Sequence, residues 1–113
     1  MYWVKKMQKR SAKEEIKKLY SDKCMLTFLK GISYHHIQKR EDGGLATVDN
    51  GALLNGRIHQ WLHNNIELHD KELYKLINEC LILYKICVDQ NKEKLLEQYE
   101  NEVVKEFRKR LIK

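Results

Sequence analysis

His59 and His63 stand four residues apart in NGRIHQWLH, a stretch whose apolar positions suit a helix. That spacing puts both imidazoles on one helix face, one turn apart, where two side chains can reach a single metal ion. An isolated pair of this kind is usually chance. Here it follows a His35-His36 dipeptide and a Gly43-Gly44 turn, and four of the chain's five histidines fall between positions 35 and 63. Adjacent residues of a strand point to opposite sides. One of His35 and His36 can therefore join the helical pair at a metal, while the other reaches a substrate. Three imidazole ligands leave coordination positions for water or phosphate, which is the character of a catalytic site rather than a structural one.

Such a site needs a strand, a turn and a helix to aim its parts. Ile32–Ile37 has the β-rich composition of a strand, residues 38–50 read as loop, and Gly51–Leu54 reads as a short returning strand. Asn55 is a good N-cap for a helix running past His63, with Ile58, Trp61 and Leu62 as apolar contacts. Trp61 and Tyr34 are read as core rather than base-stacking platforms, and His69 as a helix-start residue outside the site. Upstream, Ser11-Ala-Lys-Glu14 reads as a capping box opening a helix to about Tyr20, with Ile16, Leu19 and Tyr20 inward. The apolar run Cys24–Leu29 is expected to be a strand. From Asp70 on the pattern is helical. Leu73, Ile77, Cys80, Tyr84 and Cys87 recur at three or four residues, with Leu76, Leu81 and Val88 beside them, and Leu95, Leu96, Tyr99, Val103, Phe107 and Leu111 repeat the theme. Asp89-Gln-Asn91 is the one weak break, so two helices packed as a hairpin are expected rather than one long helix.

The segment HHIQKREDGG, followed by Asp49-Asn50 and then by His59-x-x-x-His63, resembles the motif of HNH (ββα-metal) nucleases. It is most similar to the nuclease domains of colicins, and the stretch from Cys24 to about residue 66 also looks like short phage and bacterial HNH proteins. The match covers residues 24–66 at most and leaves the tail from Asp70 unexplained; a unit that small needs bracing, by a basic arm and helix (1–20) and by a helical region (70–113), in a single α+β domain. The resemblance itself implies that residues 24–66 form a ββα-metal unit. It implies one divalent metal ion on His35, His59 and His63, with Mg²⁺, Mn²⁺, Ni²⁺ and Zn²⁺ as candidates. It makes His36 the general base and gives Asn50 the task of holding the loop and thereby orienting His36. The implied activity is hydrolysis of nucleic-acid phosphodiester bonds, in DNA first. A catalytically silent module that binds nucleic acid or protein, such as a phage regulator or inhibitor, is the alternative. Two departures stand out. The paired Cys-x-x-Cys motifs that hold a structural zinc in many HNH proteins are missing, so packing must replace them. The phosphate-clamping arginine has no fixed position; Lys39, Arg40 and Arg57 are its candidates, against the plain alternative of solvated surface charge.

Composition agrees with a polyanion as partner. The formal charge is +6, and it is concentrated at the ends. Residues 1–20 hold seven Lys/Arg against two Glu, and residues 105–113 hold five against one. Basic ends of this kind suit the phosphates of a nucleic acid. Three cysteines, Cys24, Cys80 and Cys87, none in a Cys-x-x-Cys pair, argue against a disulfide framework or a thiolate zinc ribbon. No apolar run approaches the roughly 18–20 residues of a membrane span, and MYWVKKMQKR lacks the apolar core of a secretory signal. The expected setting is a reducing cytoplasm, prokaryotic or that of a phage-infected host. Surplus apolar residues on the C-terminal helices, Leu96, Val103 and Phe107, leave room for a homodimer.

Overall fold

The computed structural model describes residues 12–31 and 33–112, with backbone alone for 111 and 112. The arm with Tyr2-Trp3, the Ser11 end of the expected capping box, Ile32 and the Leu111 side chain lie outside the described residues. Helix α1 covers residues 12–20 and buries Ala12, Ile16 and Tyr20 at four-residue steps. Leu19 was expected on that inner face. It is 52% exposed, because the buried stripe follows the i, i+4 row and leaves the neighbouring position at its edge.

Two strands form the sheet. β1 (Ser33–His36) and β2 (Gly51–Leu54) run antiparallel, with Ser33 opposite Leu54 and His36 opposite Gly51. β2 is buried along its whole length, and β1 buries only its two central residues. Helix α2 (Gly56–Trp61) starts where Asn55 Oδ1 accepts the Arg57 amide at 3.0 Å. It runs on into a π-helical segment, Leu62–Glu67. Helix α3 (Lys71–Asp89) is capped by the Asp70 carboxylate, which accepts from the Leu73 amide at 3.0 Å. The expected break then occurs. Asn91 takes a left-handed φ of 56°, which asparagine tolerates better than most residues. Helix α4 (Glu93–Tyr99) follows and packs on α3, continuing through a π segment (Glu100–Val104) into α5 (Lys105–Ile112). The domain is α+β, and no helix among the described residues is long and apolar enough to cross a membrane.

The run Cys24–Leu29 is not the expected strand. It is a turn, closed by a lone bridge between Lys23 and Lys30 and by the Phe28 amide donating to the Cys24 carbonyl at 2.8 Å. Phe28 sits at φ 59°. Gly31 lets the ends meet, since a Cβ there would lie 2.8 Å from the Cys24 nitrogen. Cys24, Met25, Leu26 and Thr27 are all buried, so the run acts as an apolar plug rather than a sheet edge. Its backbone polar groups find partners elsewhere. The Met25 amide donates to Leu53 at 2.9 Å, Tyr99 Oη donates to the Met25 carbonyl at 2.5 Å, and Arg108 Nε donates to the Thr27 carbonyl at 2.6 Å. Composition cannot separate a buried strand from a buried turn; the partners decide.

The C-terminal helices also supply core. Ile77, Leu81, Tyr84, Tyr99 and Val104 join Ile58 and Leu62 in one cluster with β2. Leu76 and Leu95 point outward, contrary to their expected place in the apolar pattern. Leu96, Val103 and Phe107, the residues that could have paired two protomers, pack against this chain's own core. Phe107 meets the half-buried Trp61 edge-on at 6.0 Å.

Candidate metal centre

The pleat of β1 sends His35 inward and His36 outward. His35 is 1% exposed, and His36 lies half-exposed at the mouth of a cleft. Helix α2 brings His59, and the π segment that continues it brings His63, up beside the same strand. Ligand nitrogens of His35, His59 and His63 all lie within 4.8 Å of one another. The two helical rings are closest, with Nε2 to Nε2 at 2.9 Å.

Each of the three rings is held from behind by a different kind of group. His35 Nε2 lies 2.8 Å from Asn78 Oδ1; an amide oxygen only accepts, so Nε2 carries the proton. That leaves His35 Nδ1 bare, and it is buried with no hydrogen-bond partner. An orphaned buried acceptor is costly unless something occupies its lone pair. His63 Nδ1 lies 2.6 Å from Glu67 Oε1, and a carboxylate again forces the ring to donate. His63 Nε2 is therefore the lone-pair atom, aimed at His59. His59 Nδ1 meets the Ser33 hydroxyl at 2.5 Å, a partner able to donate or accept. An unpartnered buried nitrogen on His35, facing two helical imidazoles that meet at Nε2 and are held from behind, is a donor set of the kind a divalent ion of the borderline class takes, so the residues present fit a metal. Burial pulls the His35 pKa down from 6.5 to about 4, against the opposing Asn78 hydrogen bond. The ring is thus neutral near pH 7, as a ligand must be.

In front of the centre lies an open cleft of about 660 Å³, lined by Tyr34, His36, Lys39, Arg40, Glu41, His59, His63 and Tyr74. Asn50 lies outside it and staples its loop. Its Oδ1 accepts from the Gln38 amide at 2.8 Å, and its Nδ2 donates to the Gln38 and Leu45 carbonyls, each at 3.0 Å. Its backbone carbonyl takes the Ile37 amide at 2.9 Å, fixing the residues that follow His36. Gly44 is needed where the loop folds under, because a Cβ there would overlap the Gln38 carbonyl. Of the three candidate phosphate contacts, Lys39 and Arg40 line the cleft and Arg57 does not; Arg57 is exposed at the start of α2. Lys39 is bound to Glu67, Nζ to Oε2 at 2.6 Å. His69 is exposed on the last helical turn before Asp70, at a helix end rather than the expected start, and is absent from the cleft lining.

Four residues at the centre escaped the sequence reading. Glu67 had a usable signal, since it lies four residues after His63, the spacing of helical neighbours. Ser33, two before His35, shares its strand face. Asn78 and Lys85 carry no such signal, because only the folding of α3 over the sheet brings them in. Lys85, 6% exposed, donates to the carbonyls of Val48 at 2.5 Å, Asp49 at 3.1 Å and Gly51 at 2.7 Å, and so clamps the end of the loop. Burial lowers its pKa, while Asp49 and Asp89 oppose the shift. Compared with protein-family models, with curated proteins and with solved structures, the chain matches none.

Proposed function

We propose that this chain is a metal-dependent endonuclease of the HNH (ββα-metal) kind that hydrolyses phosphodiester bonds in nucleic acid, DNA first. One observation carries the reading: a strand histidine and a helical i, i+4 pair converge with their outer nitrogens already held, while a second strand histidine faces the adjoining cleft. A divalent ion held by His35, His59 and His63 would supply Lewis acidity at the scissile phosphate. His36 takes the proton of the attacking water, and Asn50 keeps the backbone beyond it in place. Arg40 is the cleft cation best placed to meet a phosphate oxygen, since Lys39 is committed to Glu67. The basic ends add contacts indifferent to sequence, so binding weakens by orders of magnitude between about 50 and 200 mM salt.

Plasmid nicking with Mg²⁺, Mn²⁺, Ni²⁺ or Zn²⁺ tests this reading. Cleavage should appear with at least one ion and vanish in EDTA. His36→Ala should slow it by about 10²-fold or more while metal affinity stays. Salt-sensitive DNA binding without cleavage under any ion would instead identify a silent binding module. Loss of metal in His36→Ala with metal kept in His35→Ala would reverse the roles of the two residues.

A further inference from the structure

Behind the three imidazoles stand a hydroxyl, an amide and a carboxylate, and only the carboxylate is charged. Glu67 is also ion-paired to Lys39, which lines the cleft. Its Oε1 accepts from His63 Nδ1 at 2.6 Å, and its Oε2 accepts from Lys39 Nζ at 2.6 Å. Lys39 is not a wandering surface lysine at its backbone. Its carbonyl accepts the amides of Asp42 at 3.0 Å and Gly44 at 2.9 Å, and Gln38 beside it is held by both ends of the Asn50 amide. Its ammonium lies 5.7 Å from the centre of the Tyr74 ring and 3.7 Å from Glu41 Oε1, the weaker of its two carboxylate partners. A continuous chain of contacts thus runs from Asn50 through Lys39 and Glu67 to His63.

We propose that Glu67 and Lys39 are positioning residues of the metal centre, Glu67 setting the orientation and donor strength of His63 and Lys39 tying that carboxylate to the loop that carries Asn50. The inference rests on the metal-centre reading above. A carboxylate behind a ligating imidazole fixes the ring, polarises it toward the ion and adds negative charge nearby. Lys39 shares that charge, so it moderates what Glu67 gives to His63. Lys39 is then a strut rather than a phosphate contact, and its effect on metal must pass through Glu67.

The test is titration with Co²⁺ alone, followed by calorimetry and by the visible absorption of the bound ion. The full-length wild type is compared with Glu67→Gln, Lys39→Met and the double variant, and thermal unfolding in EDTA is measured for each. Glu67→Gln should bind Co²⁺ about 10- to 100-fold more weakly, with an altered spectrum and little change in metal-free melting. Lys39→Met should bind it at least as tightly as wild type, and in the Glu67→Gln background it should change nothing further. Wild-type affinity and spectrum in Glu67→Gln, with Co²⁺ bound by both, would overturn this inference alone. A loss of affinity that only follows a loss of melting temperature would overturn it too. A wild-type chain that binds no Co²⁺ would overturn the metal-centre reading and the inference with it.

Discussion

Residues 33–67 and residues 71–112 divide the work unequally. The first segment carries His35, His36, Asn50, His59 and His63; the second contains no histidine at all. Yet α3 supplies Asn78 to His35, Tyr74 to the cleft wall and Lys85 to the loop, and Tyr99 and Arg108 fasten the buried turn before β1. The first segment carries the candidate ligands and holds two of them itself, through Ser33 and Glu67; the second holds the buried one, His35, and braces the loop. Spacing along a chain can place two rings on one face, but the tautomer of a ring is set by what stands behind it.

The largest test of this division is truncation after Glu67. The fragment would lose Ile77, Leu81, Tyr84, Tyr99 and Val104 from the core and expose Ile58 and Leu62. About 30 residues of ββα unit cannot hold a fold without staples. Cooperative unfolding and metal binding should both disappear; a folded fragment that cuts DNA at the full rate would reduce α3–α5 to an interaction arm.

Acid offers a graded version of the same test. The His35 pKa falls from 6.5 unfolded to about 4 folded, so below pH 6.5 the unfolded chain takes up a proton that the folded chain refuses. Stability in EDTA should therefore be full above pH 6.5 and fall by up to about 3 kcal/mol toward pH 4. Replacing His35 with a neutral residue should flatten that part of the profile, and an unchanged slope in denaturant titrations across pH would show that other groups govern it.

Lys85→Met keeps most of the apolar stem and removes the ammonium from three carbonyls. Denaturant unfolding should show a loss of about 2 kcal/mol, set by the unsatisfied carbonyls and softened by relief of a buried charge. No loss would mean that water replaces the clamp. The mildest change is Asn78→Ala, which should weaken metal binding by about 10-fold through the loss of one outer-shell acceptor. If calorimetry finds it neutral, the second segment supports the fold without aiming the site.

Much of the fold and of the candidate site was legible where the information is local. The i, i+4 histidines, the strand alternation that splits His35 from His36, the Asn55 and Asp70 caps and the weak break at Asn91 all depend on neighbours in sequence. Cys24–Leu29 was misread because its conformation depends on Leu53, Tyr99 and Arg108, which are distant in sequence. Asn78 and Lys85 look like ordinary polar residues in a helical pattern. Lys85 lies four residues after Leu81, on the buried face of α3 where the pattern calls for an apolar residue, and the loop carbonyls facing it explain why a lysine stands there.

The π-helical segment Leu62–Glu67 makes the spacer after His63 a part of the site. A π turn holds more residues per turn than an α turn and is often equivalent to a single inserted residue. Having already taken up one extra residue, the π turn has no room for a second, and inserting one between Asn64 and Asn65 would turn everything beyond it by about 100°. His35, His59 and His63 would all remain, and a motif search would see no damage. Glu67 would rotate away from His63, and α3 would carry Asn78 away from His35. Among relatives of this chain, the count of residues between His63 and Asn78 should therefore vary far less than the loop lengths on the far side of the domain.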